Sequence, residues 1–467
     1  MNTKIKFGTD GWRAIIDQEF TIQNVKRVAI ATAIWINKNS LKPKIVIGHD
    51  CRRNGSIYAE TAAATFASKG LHVLYHQGFA TTPMISLATH QLDCSVGIII
   101  TASHNPPSYN GYKIKLQYGG PALQQDIQAI ESLIPDDIED IIDDYDQLLL
   151  EQKISIVNIE DLYYSHITSH FDISNLTSKL RIAYDAMYGS GQYIARRLFP
   201  DAHFLHCVHD DTFQGIAPEP LARNLSDLQS LLAEKGNIDL AIITDGDADR
   251  IAFYDDKQRF VDAHHIILLC IYFQKVIARA EGDVVIAFSC SERIKKLCDY
   301  YNIPYTVTPI GFKYICEKML QNKVLLGGEE SGGIAVSGHI PERDGIWISL
   351  ILLSLMKNLG KKLSQIIEED IYAITGPIHY ERWDLHISDT QKTNIMIACK
   401  EDKYKSFGNY TIQRIEKIDG YKYHLSDSAW IMLRLSGTEP ILRIYAETSN
   451  ESDTKAILQA TRDAVLA

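Results

Sequence analysis

The stretch IDLAIITDGDADRIAFYD, residues 238–255, decides the fold: an apolar run, a loop carrying three aspartates, then a second apolar run. Apolar runs this short, bounded by small and acidic residues, read as buried strands rather than helices. Asp245, Asp247 and Asp249 stand at i, i+2 and i+4, so in an extended loop their carboxylates face one side. Gly246 and Ala248 leave room between them, and three hard oxygen donors suit a small cation such as Mg²⁺. The loop has neither the length nor the terminal Glu of an EF-hand. Arg250, next in line, can pair with an anion bidentately. A solvated acidic turn is the plainer reading of the same residues.

Strand followed by polar loop recurs outward in both directions. VGIIIT at 96–101 is a buried strand that runs into Ser103, His104 and the stiffening pair Pro106 and Pro107, with Lys113 beyond. A serine held at a sheet edge can carry a phosphoryl group and split a transfer into two steps. His104 offers a donor beside that charge. Lys113 can act as general acid or base if neighbouring cations lower its pKa. GGEESGG at 327–333 is neither a Walker nor a Rossmann loop. Its carboxylates can accept hydrogen bonds from sugar hydroxyls, and Ser331 adds a donor; a hairpin tip is the alternative. RLSGTEP at 434–440 has Arg434, Ser436, Gly437 and Thr438, with Arg443 further on. Successive backbone N–H groups there can form an anion nest, flanked by guanidinium groups suited to a phosphate that is not reacting. Arg13, in a Gly-Trp-Arg turn, is a further phosphate contact.

Between these loops β-type runs alternate with amphipathic helical stretches, which predicts α/β layers. KIVIG at 44–48, an Ala-rich helix at 57–68 and a strand at 71–75 form one set. LRIAYD at 180–185, a Gly189-Ser190-Gly191 turn and a helix open a second. An apolar helix over 265–280 and strands at 284–288 and 324–326 make a third. The last hundred residues carry close-spaced strands at 412–418, 421–425, 430–435 and 441–447, which predicts an antiparallel sheet with few helices. Loops at strand ends are where open α/β sheets bind ligands, so four such loops imply one shared cleft.

Bulk properties narrow the partners. With 467 residues the chain is too long for one core. A net charge of 47 − 58 = −11 disfavours nucleic acid and anionic lipid. Eight cysteines without metal spacing, no apolar leader, and an apolar stretch at 345–359 too short to span a bilayer point to the cytoplasm and no membrane. The partner is a small phosphorylated molecule, met by a monomer or a homodimer.

Taken together and in this order, the four loops resemble those of the α-D-phosphohexomutase superfamily, which includes phosphoglucomutases and phosphomannomutases. The resemblance spans essentially the whole chain. It implies an α/β fold of three related domains with mixed sheets, plus a C-terminal α+β domain similar to the TATA-binding-protein fold. The boundaries it suggests are 1–152 (phosphoserine loop), 153–256 (metal), 257–371 (sugar) and 372–467 (distal phosphate). Ser103 then matches the phosphoserine and a metal ligand, His104 its neighbour, and Lys113 the general acid/base. Asp245, Asp247 and Asp249 match Mg²⁺ ligands, while Arg250 and Arg13 match arginines near the transferring group. Glu329 and Ser331 match sugar-binding residues; Arg434, Ser436, Gly437 and Thr438 match the distal phosphate loop. The implied activity interconverts hexose 1-phosphate and hexose 6-phosphate through a hexose 1,6-bisphosphate. Gly333 and Phe312 stand where a dual-specificity branch has His, and Glu330 with Ser331 favours glucose over mannose. A phosphosugar phosphatase using the same serine and metal loop is the alternative, and a non-catalytic phosphosugar-binding protein a third reading.

Overall fold

The computed structural model describes residues 4–8, 10–39, 41–138, 144–436 and 440–466. The chain divides into two compact units, one of Met1–Asp283 with Gly311–Ser364, the other of Val284–Ile310 with Gln365–Ala467.

The first unit holds two mixed sheets and a hairpin. Its first sheet runs Trp12–Ile15, Tyr109–Leu116, Val96–Ile100, Lys44–His49, His72–Phe79, Ile154–Ile156. The central three strands, 96–100, 44–49 and 72–79, are parallel, as expected for runs buried on both faces. Tyr109–Leu116 pairs antiparallel to Val96–Ile100, so the 101–108 loop is a turn between neighbouring strands. The Ala-rich helix Gly55–Ser68 packs into this core through Ala59, Ala62, Ala63 and Phe66. Trp12 stacks on Phe20 with centroids 4.6 Å apart, and Tyr58 closes edge-on at 4.8 Å from Phe20, fixing the first strand beside the Tyr109–Leu116 strand. Emptying such a site by Phe20→Ala typically costs about 3–5 kcal/mol.

The second sheet, Phe260–Val261, Ile251–Tyr254, Leu240–Thr244, Ile182–Asp185, His203–Leu205, contains the opening stretch as its antiparallel pair 240–244 and 251–254. The Asp loop is thus a tight hairpin turn between two wholly buried strands. The hairpin Val324–Gly328 with Ile334–Val336 carries the third loop. It is followed by the buried helix Gly345–Leu359, whose N-cap Asp344 accepts from the Trp347 N–H at 3.0 Å. Asp344 also ends a polar chain: Gln91 Nε2 donates to His166 Nδ1 (3.1 Å), His166 Nε2 to His339 Nδ1 (3.3 Å) and His339 Nε2 to Asp344 (2.9 Å). The His339 ring lies flat on Trp347 at 3.9 Å.

The second unit has a five-stranded antiparallel sheet in the order His379–His386, Ile441–Thr448, Ala429–Leu435, Tyr421–Ser426, Arg414–Glu416. Helices Asp389–Lys400 and Glu451–Leu466 bury Ile395, Ile457 and Leu458 in its core. Parallel strands Asp283–Ala287 and Tyr305–Thr308 begin the third α/β region. The strand 379–386 was not among the expected ones, because Arg382 and Asp384 interrupt its apolar pattern. All eight cysteines are buried and unbridged. Among the described residues no helix is long and apolar enough to cross a membrane.

Candidate active site

Three of the four loops meet within the first unit. Ser103 is 1% exposed and donates from Oγ to Asp245 Oδ2 at 2.8 Å, across 142 residues of chain. The juncture is made by main chain: a Cβ on Gly246 would stand 2.4 Å from the Ser103 carbonyl oxygen, so only glycine permits this approach. Ser103 has φ 53°, a left-handed conformation costly for a non-glycine residue and held only by surrounding contacts.

Those contacts come chiefly from a residue that the sequence did not mark. The buried Arg52 donates to four carbonyl oxygens: Ser103 (2.7 Å), Asn105 (2.6 Å), Pro106 (2.9 Å) and Tyr109 (2.9 Å). Asp50 ion-pairs with it at 3.3 Å and accepts from the Thr101 hydroxyl at 2.5 Å. Burial pushes the Asp50 carboxyl up to about 6, with Arg52 pulling against it. The only signal was position: His49-Asp50-Cys51-Arg52 leaves the strand 44–49 at the same sheet edge as Ser103. Arg13 Nη1 donates to Asn105 Oδ1 at 2.7 Å, placing that arginine on the serine loop.

The aspartates converge as their spacing predicts. Asp245, Asp247 and Asp249 are fully buried and offer ligand oxygens within 4.8 Å of one another. Asp247 Oδ1 and Asp249 Oδ1 have no hydrogen-bond partner among the described residues. Buried, unpartnered carboxylate oxygens are costly, and a divalent cation is the group they fit. Thr82 Oγ1 donates to Asp247 at 2.5 Å. Burial, then Asp247 and Asp249, hold the Asp245 carboxyl well above the usual carboxylate range. Arg250 donates its backbone N–H to Asp245 Oδ1 at 3.0 Å, while its guanidinium lies 3.4 Å from Glu219.

Lys113 departs from expectation. The groups it contacts are carboxylates: Asp247 at 2.7 Å, Asp10 at 2.8 Å and Asp249 at 2.9 Å. Burial opposes its charge, but these three outweigh burial and raise the ammonium above its ordinary pKa. The partly buried His104, by contrast, sits 3.3 Å from Ser103 Oγ and is held well below its ordinary pKa by burial, then Arg250, Arg13, Lys113 and Arg52.

Glu329 is buried and accepts from the Gly311 N–H at 3.1 Å; burial pushes its carboxyl up to about 7. Ser331 is half-buried in the same loop, which touches the aspartate-loop hairpin through Ile251 N–H to Gly332 O at 3.2 Å. Arg343 pairs with Asp249 at 2.7 Å and with Asp10, and Lys115 pairs with Glu342 at 2.6 Å. Asp10, Lys115, Glu342 and Arg343 were also missed; PERDG ahead of an apolar helix was the one visible trace of Glu342 and Arg343.

The fourth loop belongs to the second unit. Arg434 and Arg443 are cross-strand partners, and Arg434 lies 3.3 Å from Asp419. Arg443 lies 4.0 Å from Asp384, and the Ser436 N–H donates to Ile441 O at 2.9 Å. Gly437 and Thr438 lie outside the described residues.

This fold and this meeting of serine with carboxylates define a class of phosphosugar enzymes, and family comparison agrees. Models of phosphoglucomutase/phosphomannomutase alpha/beta/alpha domains I, II and III match residues 4–140, 161–258 and 262–373, and the model of the C-terminal domain matches 396–464. The chain belongs to the phosphoglucomutase/phosphomannomutase family and is an enzyme of the phosphohexomutase type. It is 26% identical to a phosphoglucomutase/phosphomannomutase of Thermococcus kodakarensis, covering 97% of this chain and 96% of that one. It is 29% identical to a phosphoglucosamine/phosphogalactosamine mutase of Sulfurisphaera tokodaii, covering 96% of each. A crystal structure from Thermus thermophilus, provisionally described as a phosphomannomutase, superimposes with a TM-score of 0.87 at 28% identity over 100% of both chains.

Proposed function

We propose that this chain interconverts hexose 1-phosphate and hexose 6-phosphate through a phosphorylated Ser103, with glucose as the first substrate and mannose the second. The observation that carries the reading is the Ser103 hydroxyl bonded to Asp245 at the mouth of three buried aspartates. The Ser103 Oγ–P bond breaks as a hydroxyl oxygen of the hexose monophosphate bonds to phosphorus, giving the 1,6-bisphosphate. The bisphosphate turns end over end, and its other phosphoryl group returns to Ser103 Oγ.

His104, 3.3 Å from Ser103 Oγ, is placed to exchange a proton there. Lys113 neutralises Asp247 and Asp249. Asp245, Asp247 and Asp249 would hold Mg²⁺ with an oxygen of the seryl phosphate, and the cation supplies charge compensation for the transferring group. Arg13 and Arg250 add positive charge near His104. Glu329 and Ser331 take sugar hydroxyls, while Arg434, Ser436, Gly437, Thr438 and Arg443 take the phosphate that is not reacting. The boundaries 1–152, 153–256, 257–371 and 372–467 assign one such loop to each domain. An acidic chain of this kind is a cytoplasmic enzyme of small phosphosugars.

The test is the ratio of kcat/KM for glucose 1-phosphate, mannose 1-phosphate and glucosamine 1-phosphate. Glucose should lead; a preference above tenfold for either of the others overturns the sugar assignment. Release of inorganic phosphate without isomerisation would replace the mutase with the phosphatase. EDTA should abolish turnover and Mg²⁺ restore it.

A further inference from the structure

Arg343 sits at the centre of the unit's charge network yet has no place in the reaction just described. It is 3% exposed, and Nη2 holds Asp249 Oδ2 at 2.7 Å together with Asp10. Its Nη1 lies 3.7 Å from Glu329 Oε2, an ion pair too long for a hydrogen bond. One guanidinium therefore touches a carboxylate of the metal loop with one arm and faces the carboxylate of the third loop with the other. Its carbon stands 5.2 Å from the centre of the Phe312 ring, a cation–π contact.

Space for this side chain comes from Gly333. A Cβ there would lie 2.4 Å from Arg343 Cδ and 3.1 Å from Cγ, inside any real contact. Gly333 is not among the glycines with positive φ, so its backbone is open to any residue. What glycine provides at 333 is room for Arg343.

We propose that Arg343 is a positioning residue that ties Glu329 to Asp249, and that Gly333 exists to admit it, so that the Glu329 carboxylate is held in a fixed relation to the aspartate loop. This deepens the mutase reading and rests on it for the identity of the ligand. Lysine at 343 keeps the charge but loses the fork.

A double-mutant cycle tests it. Arg343→Ala should lower kcat/KM for glucose 1-phosphate about 100-fold, split between a lower kcat, through Asp249, and a higher KM, through Glu329. Arg343→Lys should recover part of the kcat loss and little of the KM. Gly333→Ala should cost about tenfold alone and nothing further in the Arg343→Ala background, because the clash is gone. Additive losses, or an Arg343→Ala enzyme within threefold of wild type, overturn the proposal. Thermal unfolding reads the same cycle without turnover: Gly333→Ala should lower Tm only when Arg343 is present. If the wild-type chain isomerises no hexose phosphate, the mutase reading fails, and that melting cycle still decides whether Gly333 serves Arg343.

Discussion

The serine and aspartate loops of the first unit and the arginine loop of the second bind charge in opposite ways. Around Ser103, ionised groups are buried and face one another: Lys113 touches three carboxylates and Arg343 touches two of the same set. On the second unit's sheet, the side chains of Arg434 and Arg443 are 22% and 27% exposed and lie 3.3 Å from Asp419 and 4.0 Å from Asp384. Buried charge is expensive unless its partners are fixed in advance, so the first arrangement is stiff and specific for one reaction geometry. Guanidinium groups about a quarter exposed keep part of their hydration. Such a surface suits an anion that must be caught and released in two orientations.

The contrast can be broken most decisively at Ser103. Ser103→Ala should lower hexose phosphate interconversion by about 10³-fold or more, since a covalent route cannot be replaced by its neighbours; turnover within tenfold of wild type would remove the covalent mechanism altogether. Arg52→Met comes next. Freeing four carbonyl oxygens lets the left-handed serine relax, and a loss of about 100-fold in kcat with little change in KM is expected. Arg434→Ala should do the reverse, raising KM about tenfold while phosphorylation of Ser103 by glucose 1,6-bisphosphate proceeds at nearly the wild-type rate. A kcat defect there without a KM change would erase the division of labour.

The smallest effect concerns stability. Burial, with His339 and His170, lowers the His166 imidazole from 6.5 to about 4. Gln91 and Asp344 are the other polar groups on its chain of hydrogen bonds. The unfolded chain binds this proton first as pH falls, so stability is full above about 6.5 and drains away down to about 4. His166→Gln should flatten that fall by a few degrees of Tm (about 2–4 °C per kcal/mol for a large domain). An unchanged pH–Tm curve would mean that the histidine chain titrates with no cost.

Much of this was legible before any coordinates. The strand before each loop, the i, i+2, i+4 aspartates and the serine at a strand end all follow from local pattern, because periodicity and turn chemistry are local facts. What stayed hidden is long-range. Arg52, Asp10 and Arg343 matter because of what lies opposite them, and a lone Arg after a strand looks the same whether it reaches solvent or four carbonyls. Lys113 shows the same limit with the opposite outcome: its identity was visible, but the sign of its surroundings was not. The strand 379–386 was missed because charged residues on a partly covered face blur the two-residue alternation.

Within the serine loop Arg52 grips main-chain oxygens, and so it recognises that loop's curve rather than its side chains. Positions 106 and 109 can therefore change bulk or polarity through evolutionary time while Ser103 keeps its place. Variation in that arc offers a lineage somewhere to remodel the mouth of the pocket without retuning the chemistry underneath.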